Sequence, residues 1–266
     1  KLVSKVFVSD TDDNKIVEFL DRVAKEKIEP FIDKSYQDLA EYVNAYEQKM
    51  QMKREVIADK GIWVAKKRYI LNAHDVEGVR YKEPKLKIMG VEAVKSSTPA
   101  ACREKIKEAL TIIMTKDNQE LNSFIQDFRK DFMDLKPELI AYPRSVNGLN
   151  KWTESHNLFK KGAPIHCKGA ILYNHLLQDK KLQGKYPYIQ EGDKIKFLHM
   201  KTPNVYQSTS ISFMTKLPSE LKLHNFIDYD MQFEKSFVEP LKFITNIIKW
   251  QIDDSYGTQG TLEEFF

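Results

Sequence analysis

Residues 55 to 92 differ in texture from the rest of the chain. Over much of the remainder, apolar residues recur every three or four positions, the period of an amphipathic helix. Here β-branched and aromatic residues come in short runs separated by turn formers, the pattern of strands and hairpins. In REVIADKGIWVAKKRYILNAHD the break falls at Asp59-Lys60-Gly61, where a hairpin turn is expected, and a second falls at Glu77-Gly78 before VRYKEPKLKIMG. A small antiparallel sheet set between helical segments is therefore expected, which makes the fold class α+β.

The helical segments can be placed by spacing. Val17, Leu20, Val23, Ala24 and Ile28 predict a helix over 16–29. Pro30 interrupts it or begins the next one, whose apolar phase (Phe31, Ile32, Leu39, Tyr42, Val43) runs to about Met50. Thr98-Pro99 predicts a helix start, with a capping hydroxyl followed by proline at the first helical position. Cys102, Ile106, Ala109, Leu110 and Ile113 form that helix's stripe. Lys116-Asp117-Asn118 breaks it, and Leu121, Phe124, Ile125, Phe128 and Phe132 form a second helix ending before Pro137. Residues 137–165 are loop-rich. CKGAILYNHLLQ reads as a helix, EGDKIKFLHMKTP as a strand, and NFIDYDMQFEKSFVEPLKFITNIIKW as two helices around Pro240.

A chain of 266 residues with 42% hydrophobic content is globular, with one or two domains. The net charge of +4 is only mildly basic, so a nucleic-acid site must come from clustered charge. Cys102 and Cys167 lie far apart without metal-ligand spacing, which argues against a disulfide framework and for a reducing compartment. No apolar run approaches 18 residues and no signal peptide is recognisable, so a soluble cytoplasmic protein is expected, with no membrane partner. The first residue is Lys1 rather than Met, which suggests a fragment or a processed product.

Asp10-Thr11-Asp12 invites a two-metal reading, because grouped carboxylates hold divalent ions that drive phosphoryl transfer. Such a pair belongs in a turn between two strands, however, and here the helical pattern begins directly after it. Carboxylates at that position cap a helix, accepting hydrogen bonds from its free N–H groups. Asp10 and Asp12 are therefore read as helix-start residues, with an independent two-metal nuclease as the competing interpretation. His166-Cys167 is a poor chelating pair, and the scattered His74, His156, His175, His199 and His224 are read as surface or core residues.

The strongest local signal is Lys66-Lys67-Arg68-Tyr69 inside an expected strand. Alternation would place Lys67 and Tyr69 on one face and Lys66 and Arg68 on the other. A row this basic meets solvent or phosphate, not a core; lysines supply charge to a DNA backbone and tyrosine packs on sugar. More positive charge follows at Lys82, Lys85, Lys87 and Lys95, and Ser96-Ser97-Thr98 at a helix start would form a phosphate seat. Lys168, together with Lys160, Lys161, Lys194, Lys196 and Lys201, would extend the track. A solvated strand face is the plainer alternative.

KKRYILNAHDVEGVRYKEPKLKIMGVEAVKSSTP resembles the palm-to-thumb junction of B-family replicative DNA polymerases of the tailed-phage branch. Its KKRY element matches that family's Lys-x-Tyr signature. EFLDRVAKEKIEPFIDKSYQDLAEYVN resembles the family's palm helices, and KGAPIHCKGAILYNHLL, EGDKIKFLHMKTPN and FIDYDMQFEKSFVEPLKFI resemble thumb segments in family order. The resemblance implies a small antiparallel palm remnant with helices over 1–94, a mostly helical thumb over 95–250 and a flexible tail over 251–266. It implies duplex contact through Lys66, Lys67, Arg68, Tyr69, Lys85, Lys87, Lys95, Ser96, Ser97, Thr98 and Lys168. The family's Tyr-Gly-Asp-Thr-Asp-Ser hairpin and its Ser-Leu-Tyr-Pro aspartate are not complete here. No catalytic or metal-binding residue is therefore expected on this chain. Mg2+ would be held by an upstream polypeptide carrying the exonuclease, fingers and rest of the palm.

The end of the chain, Gln259, Leu262, Phe265 and Phe266, resembles the peptide by which polymerases and repair proteins bind sliding clamps. A single helical turn would present Leu262, Phe265 and Phe266 as an apolar plug. The expected function is that of the C-terminal part of a DNA-directed DNA polymerase, gripping primer–template DNA and tethered to a clamp. The alternative is a non-enzymatic clamp-tethered DNA-binding factor.

Overall fold

The computed structural model describes residues 12–154 and 158–253. The chain divides into two compact units, Lys1–Ile88 and Met89–Phe266. Both combine helices with a three-stranded antiparallel sheet, so the fold is α+β. Among the described residues, no helix is long and apolar enough to cross a membrane.

The first unit opens on a long helical run. Helix α1 (Asp13–Val23) starts at Asp12, whose Oδ1 accepts a hydrogen bond from the Asn14 backbone N–H at 3.3 Å. That is the capping role expected of Asp12; Asp10 lies outside the described residues. A π-helical turn (Ala24–Ile28) then leads without a break into α2 (Glu29–Tyr42), with Pro30 in its first turn. Proline has no N–H to donate and crowds the carbonyl four residues back, so a wider turn before it keeps the run helical. The helix ends at Tyr42 rather than near Met50. Asn44 adopts a left-handed φ of 52°, and the Ala45 N–H closes the end on the Ala40 carbonyl at 2.8 Å.

Strands β1 (Val56–Ala65), β2 (Arg68–Val76) and β3 (Val79–Met89) follow, in sheet order β1-β2-β3. The β2–β3 turn is at Glu77-Gly78, as expected. Both residues have positive φ (52° and 86°), the requirement of a tight two-residue hairpin turn. The expected β1–β2 turn at Asp59-Lys60-Gly61 is not there. These residues run through β1, and the chain reverses at Lys66-Lys67. Asp59 is absorbed as an extra residue in the register, opposite no partner, and its carboxylate takes a hydrogen bond from Asn72 at 2.8 Å. Gly61 serves close packing: a Cβ there would lie 2.7 Å from the Trp63 ring and 2.8 Å from Leu71. Pro84 is tolerated because β3 is an edge strand.

Arg54 joins the helical run to this sheet. Its guanidinium bonds Asp21 of α1 (Nη2–Oδ1 2.7 Å, Nε–Oδ1 3.0 Å) and the buried Asp75 of β2 (Nη1–Oδ1 2.6 Å). Its backbone N–H donates to Glu29 of α2 at 3.2 Å. Asp75 also accepts from the Gly78 N–H at 2.9 Å, so the same carboxylate pins the β2–β3 turn. Burial opposes the charge on Arg54, but the hydrogen bonds to both aspartates outweigh it and raise the pKa. The Lys25 ammonium first, and then Arg54, hold the Asp21 carboxyl below its ordinary 3.8.

In the second unit, α3 (Ala100–Thr115) and α4 (Asn118–Met133) pack against each other; Asp117 caps α4 by accepting from the Glu120 N–H at 3.0 Å. Helix α3 begins one residue later than expected, with Pro99 at the cap and no side-chain capping bond. Short helix α5 (Pro137–Ile140), β4 (Tyr142–Ser145) and short helix α6 (Leu149–Trp152) occupy the stretch read as loop. Helix α7 (Ile165–Asp179) and β5 (Lys194–His199) match expectation, and a fully buried strand, β6 (Ser210–Phe213), completes the sheet β4-β5-β6. Gly169 lets α7 sit on β6, since a Cβ would lie 2.5 Å from Ser212 Oγ. The closing run is α8 (Tyr229–Phe233), a second π-helical turn (Glu234–Val238) and α9 (Glu239–Thr245), with Pro240 placed as Pro30 is. Phe233 and Phe237 from this run meet Phe128 and Phe132 of α4, with ring centroids 4.7–5.8 Å apart.

Replacing Arg54 with Met leaves Asp75 buried without its cation. The expected loss is about 3 kcal/mol in urea unfolding followed by circular dichroism, the low end for breaking a buried pair because Asp21 is partly solvated. Asp21 contributes above its unfolded pKa of 3.8 and loses that contribution as pH falls through the lower folded value, so the wild-type advantage should narrow in acid.

Candidate nucleic-acid interface

The β1–β2 ladder continues to its tip, with Ile62 opposite Ile70, Trp63 opposite Tyr69 and Ala65 opposite Arg68. The first pair faces inward: Ile62 is buried and Ile70 has no exposed surface. The second pair therefore points to the other face, where Tyr69 is half-buried and Trp63 is 67% exposed. The Trp63 ring lies over Gly61, where a Cβ would come within 2.7 Å of it.

Lys66 and Lys67 form the turn, both exposed, with Lys67 at a left-handed φ of 62°. The expected alternation of Lys66 to Tyr69 along one strand therefore does not hold: two of the four residues are the turn, and only Arg68 and Tyr69 belong to β2. The result is two ammonium groups at the end of a hairpin with an aromatic pair just behind them. Such a tip can meet a phosphate backbone with its charges while the rings pack on sugar or base. Trp63 was not recognised in the sequence. Its signal lay in its spacing from Lys66, legible only once the turn is placed correctly.

The remaining basic candidates of this unit lie on β3. Lys85 is exposed, with its Nζ 4.8 Å from the Tyr81 ring centroid. Lys87 is paired with Glu55, whose hydrogen bond raises the lysine pKa.

Lys95, Ser96, Ser97, Thr98 and Lys168 belong to the second unit. The Lys95 ammonium is 2.8 Å from Glu92, and Ser96 is exposed. Ser97 is half-buried and its carbonyl accepts from Arg144 at 2.9 Å. Thr98 is 5% exposed and does not cap α3, so the hydroxyl seat expected from the three residues together is not formed. The cause is tertiary: Thr98 and Pro99 both pack inward. Lys168 is half-buried in the first turn of α7, its Nζ 5.5 Å from the Phe159 ring centroid. Lys196 donates to the Glu138 carbonyl at 2.9 Å. Gln259, Leu262, Phe265, Phe266 and His156 lie outside the described residues.

Neither cysteine suits nucleophilic chemistry. Both are buried, and burial pushes the Cys102 thiol up to about 12. His166 is held below its usual pKa by burial and by Arg144.

No protein-family model matches the chain. Two curated proteins do. The DNA-directed DNA polymerase of Enterobacteria phage T4 is 34% identical over 242 residues, covering 86% of this chain and 26% of that protein. The DNA-directed DNA polymerase of Escherichia phage RB69 is 35% identical over 263 residues, covering 94% of this chain and 29% of that protein. The chain is a relative of phage DNA polymerases. It spans between a quarter and three-tenths of the length of these curated polymerases. Within this polymerase relative, the match takes in nearly all of both compact units, the basic hairpin tip among them.

Gly61→Ala should displace the Trp63 ring or Leu71, lowering stability by about 1–3 kcal/mol and changing Trp63 fluorescence. Lys67→Gly removes a charge but also a left-handed side-chain residue. Relief of that φ offsets the greater freedom of unfolded glycine, so stability should change by less than about 0.5 kcal/mol.

Proposed function

We propose that this chain is the C-terminal part, or a separate subunit, of a B-family DNA-directed DNA polymerase, and that it grips the primer–template duplex during replication. Residues 1–94 would be its share of the palm, 95–250 its thumb and 251–266 its tail. The similarity to two phage polymerases along most of the chain supports this reading, and the exposed Lys66-Lys67 tip with Trp63 and Tyr69 behind it is the observation that carries it. Lys85 on the first unit and, separately, Lys95 on the second would each add charge toward a nucleic-acid backbone, which is independent of base sequence. The metal-binding aspartates, and with them Mg2+, reside on a polypeptide corresponding to the part of the relatives outside the match. The Gln259, Leu262, Phe265 and Phe266 tail would tether the assembly to a sliding clamp, in the cytoplasm of an infected host cell.

Two measurements test this. In duplex-DNA binding across a salt series, wild type should lose affinity steeply with salt. The Lys66→Ala/Lys67→Gly pair should lower the slope of log K against log salt by about 2. In primer extension with Mg2+ and four deoxynucleotides, the chain alone should be inactive. It should become active when mixed with the portion of the phage RB69 polymerase outside the match. Activity of the chain alone would restore the catalytic reading of Asp10 and Asp12. Duplex binding with no extension in the mixture would favour the clamp-tethered binding factor.

A further inference from the structure

One surface of the first unit is built unlike the hairpin tip. Ile28, Phe31, Leu39 and Tyr42 fall within about 80° of one another around the α2 axis. Phe31 is 72% exposed and Tyr42 85%, while Ala40 on another side of the same helix is buried. The helix thus has one face packed on its own unit and a second, apolar face that is exposed.

The segment that follows is equally uncovered. From Glu41 to Lys53 no residue is buried and only Gln48 is half-buried; Tyr46 is fully exposed and Met52 is 51% exposed. A connection this long without secondary structure, carrying large apolar side chains inside an otherwise ordered unit, is costly unless something covers it.

Charge distinguishes the candidate occupants. The helical run from Asp13 to Tyr42 holds eight acidic and five basic residues, a net charge of −3, and the segment from Glu41 to Lys53 holds two of each. A nucleic-acid backbone is repelled by the first and not attracted by the second. A protein surface with an apolar centre suits both.

We propose that the Phe31–Leu39–Tyr42 stripe, with Tyr46 and Met52, is the docking surface for the polymerase polypeptide that corresponds to the seven-tenths of the relatives outside the match. The proposal rests on the reading given under Proposed function and identifies the surface by which the two parts join. The occupant follows from the length of the relatives beyond the match, from the acidic and neutral charge of the surface, and from the concentration of exposed apolar residues on α2 and the segment after it.

The test uses the full chain and the portion of the phage RB69 polymerase outside the match. By analytical ultracentrifugation the chain alone should be monomeric, and its 41–53 amides should exchange rapidly. On mixing, a one-to-one complex should form and exchange at 28–53 should slow. Phe31→Asp/Tyr42→Asp should weaken that complex at least tenfold while leaving salt-dependent duplex binding of the chain unchanged. Tyr46→Lys should weaken it in the same direction. Lys66→Ala/Lys67→Gly should weaken duplex binding and leave the complex intact. Self-association of the chain that is lost in Phe31→Asp/Tyr42→Asp would overturn the proposal in favour of a second copy. Slow exchange at 41–53 in the monomer would mean the chain covers the surface itself. A complex indifferent to the α2 variants would overturn the surface while leaving the two-part polymerase standing. Absence of any complex would remove both.

Discussion

One cation holds the first unit together. Arg54 places a single guanidinium between a carboxylate on the helical run and a carboxylate buried in the sheet, and the second carboxylate also ties down the β2–β3 turn. Helices and sheet in a unit this small share little core, which consists of Val17, Ala24, Ile57, Ile62, Ile70 and their neighbours. The ionic junction therefore sets how the hairpin sits on its support. A charge removed from water is tolerable only when its partners are in place, so the junction favours one arrangement over nearby alternatives. The hairpin that presents Lys66 and Lys67 has one of its strand-to-strand irregularities at His74, next to the Asp75 that Arg54 bonds.

The two π-helical turns solve one problem in the same way in both units. Pro30 and Pro240 each sit just after a five-residue wide turn, so a helix that proline would break continues past it. In the first unit this extends the helical run to Tyr42, long enough to present a second, apolar face. In the second it keeps Phe233 and Phe237 on the same side of one continuous run, where they complete the phenylalanine cluster with Phe128 and Phe132.

The first unit separates its surfaces by chemistry. Exposed positive charge and an aromatic pair gather at the hairpin tip, whereas the helical run is acidic along its length and apolar on its free face. A surface for a polyanion and a surface for a protein place opposite demands on charge, and keeping them on different elements lets each be met without compromising the other.

The sequence by itself determined the class of nearly every long element, because helical period, capping carboxylates and positive-φ turn residues act within a few positions of one another. Asp12 as a cap, the helix break at Lys116-Asp117-Asn118, Glu77-Gly78 as a turn, and the stripes of α3 and α4 were legible for that reason, as was the likeness to phage polymerases, which is carried by residue order. The tertiary structure decided what depends on neighbours distant in sequence. Asp59-Lys60-Gly61 has turn composition, yet it runs through a strand, with Asp59 taken up as an extra residue in the register and Gly61 leaving room for Trp63 and Leu71. Thr98 has the chemistry of a cap, yet it is buried by packing around α3. Strands β4 and β6, only four residues each, carry too little pattern to declare themselves and exist because β5 lies between them. Arg54, unremarkable between Lys53 and Glu55, becomes the centre of its unit only when Asp21 and Asp75 arrive from 33 and 21 residues away.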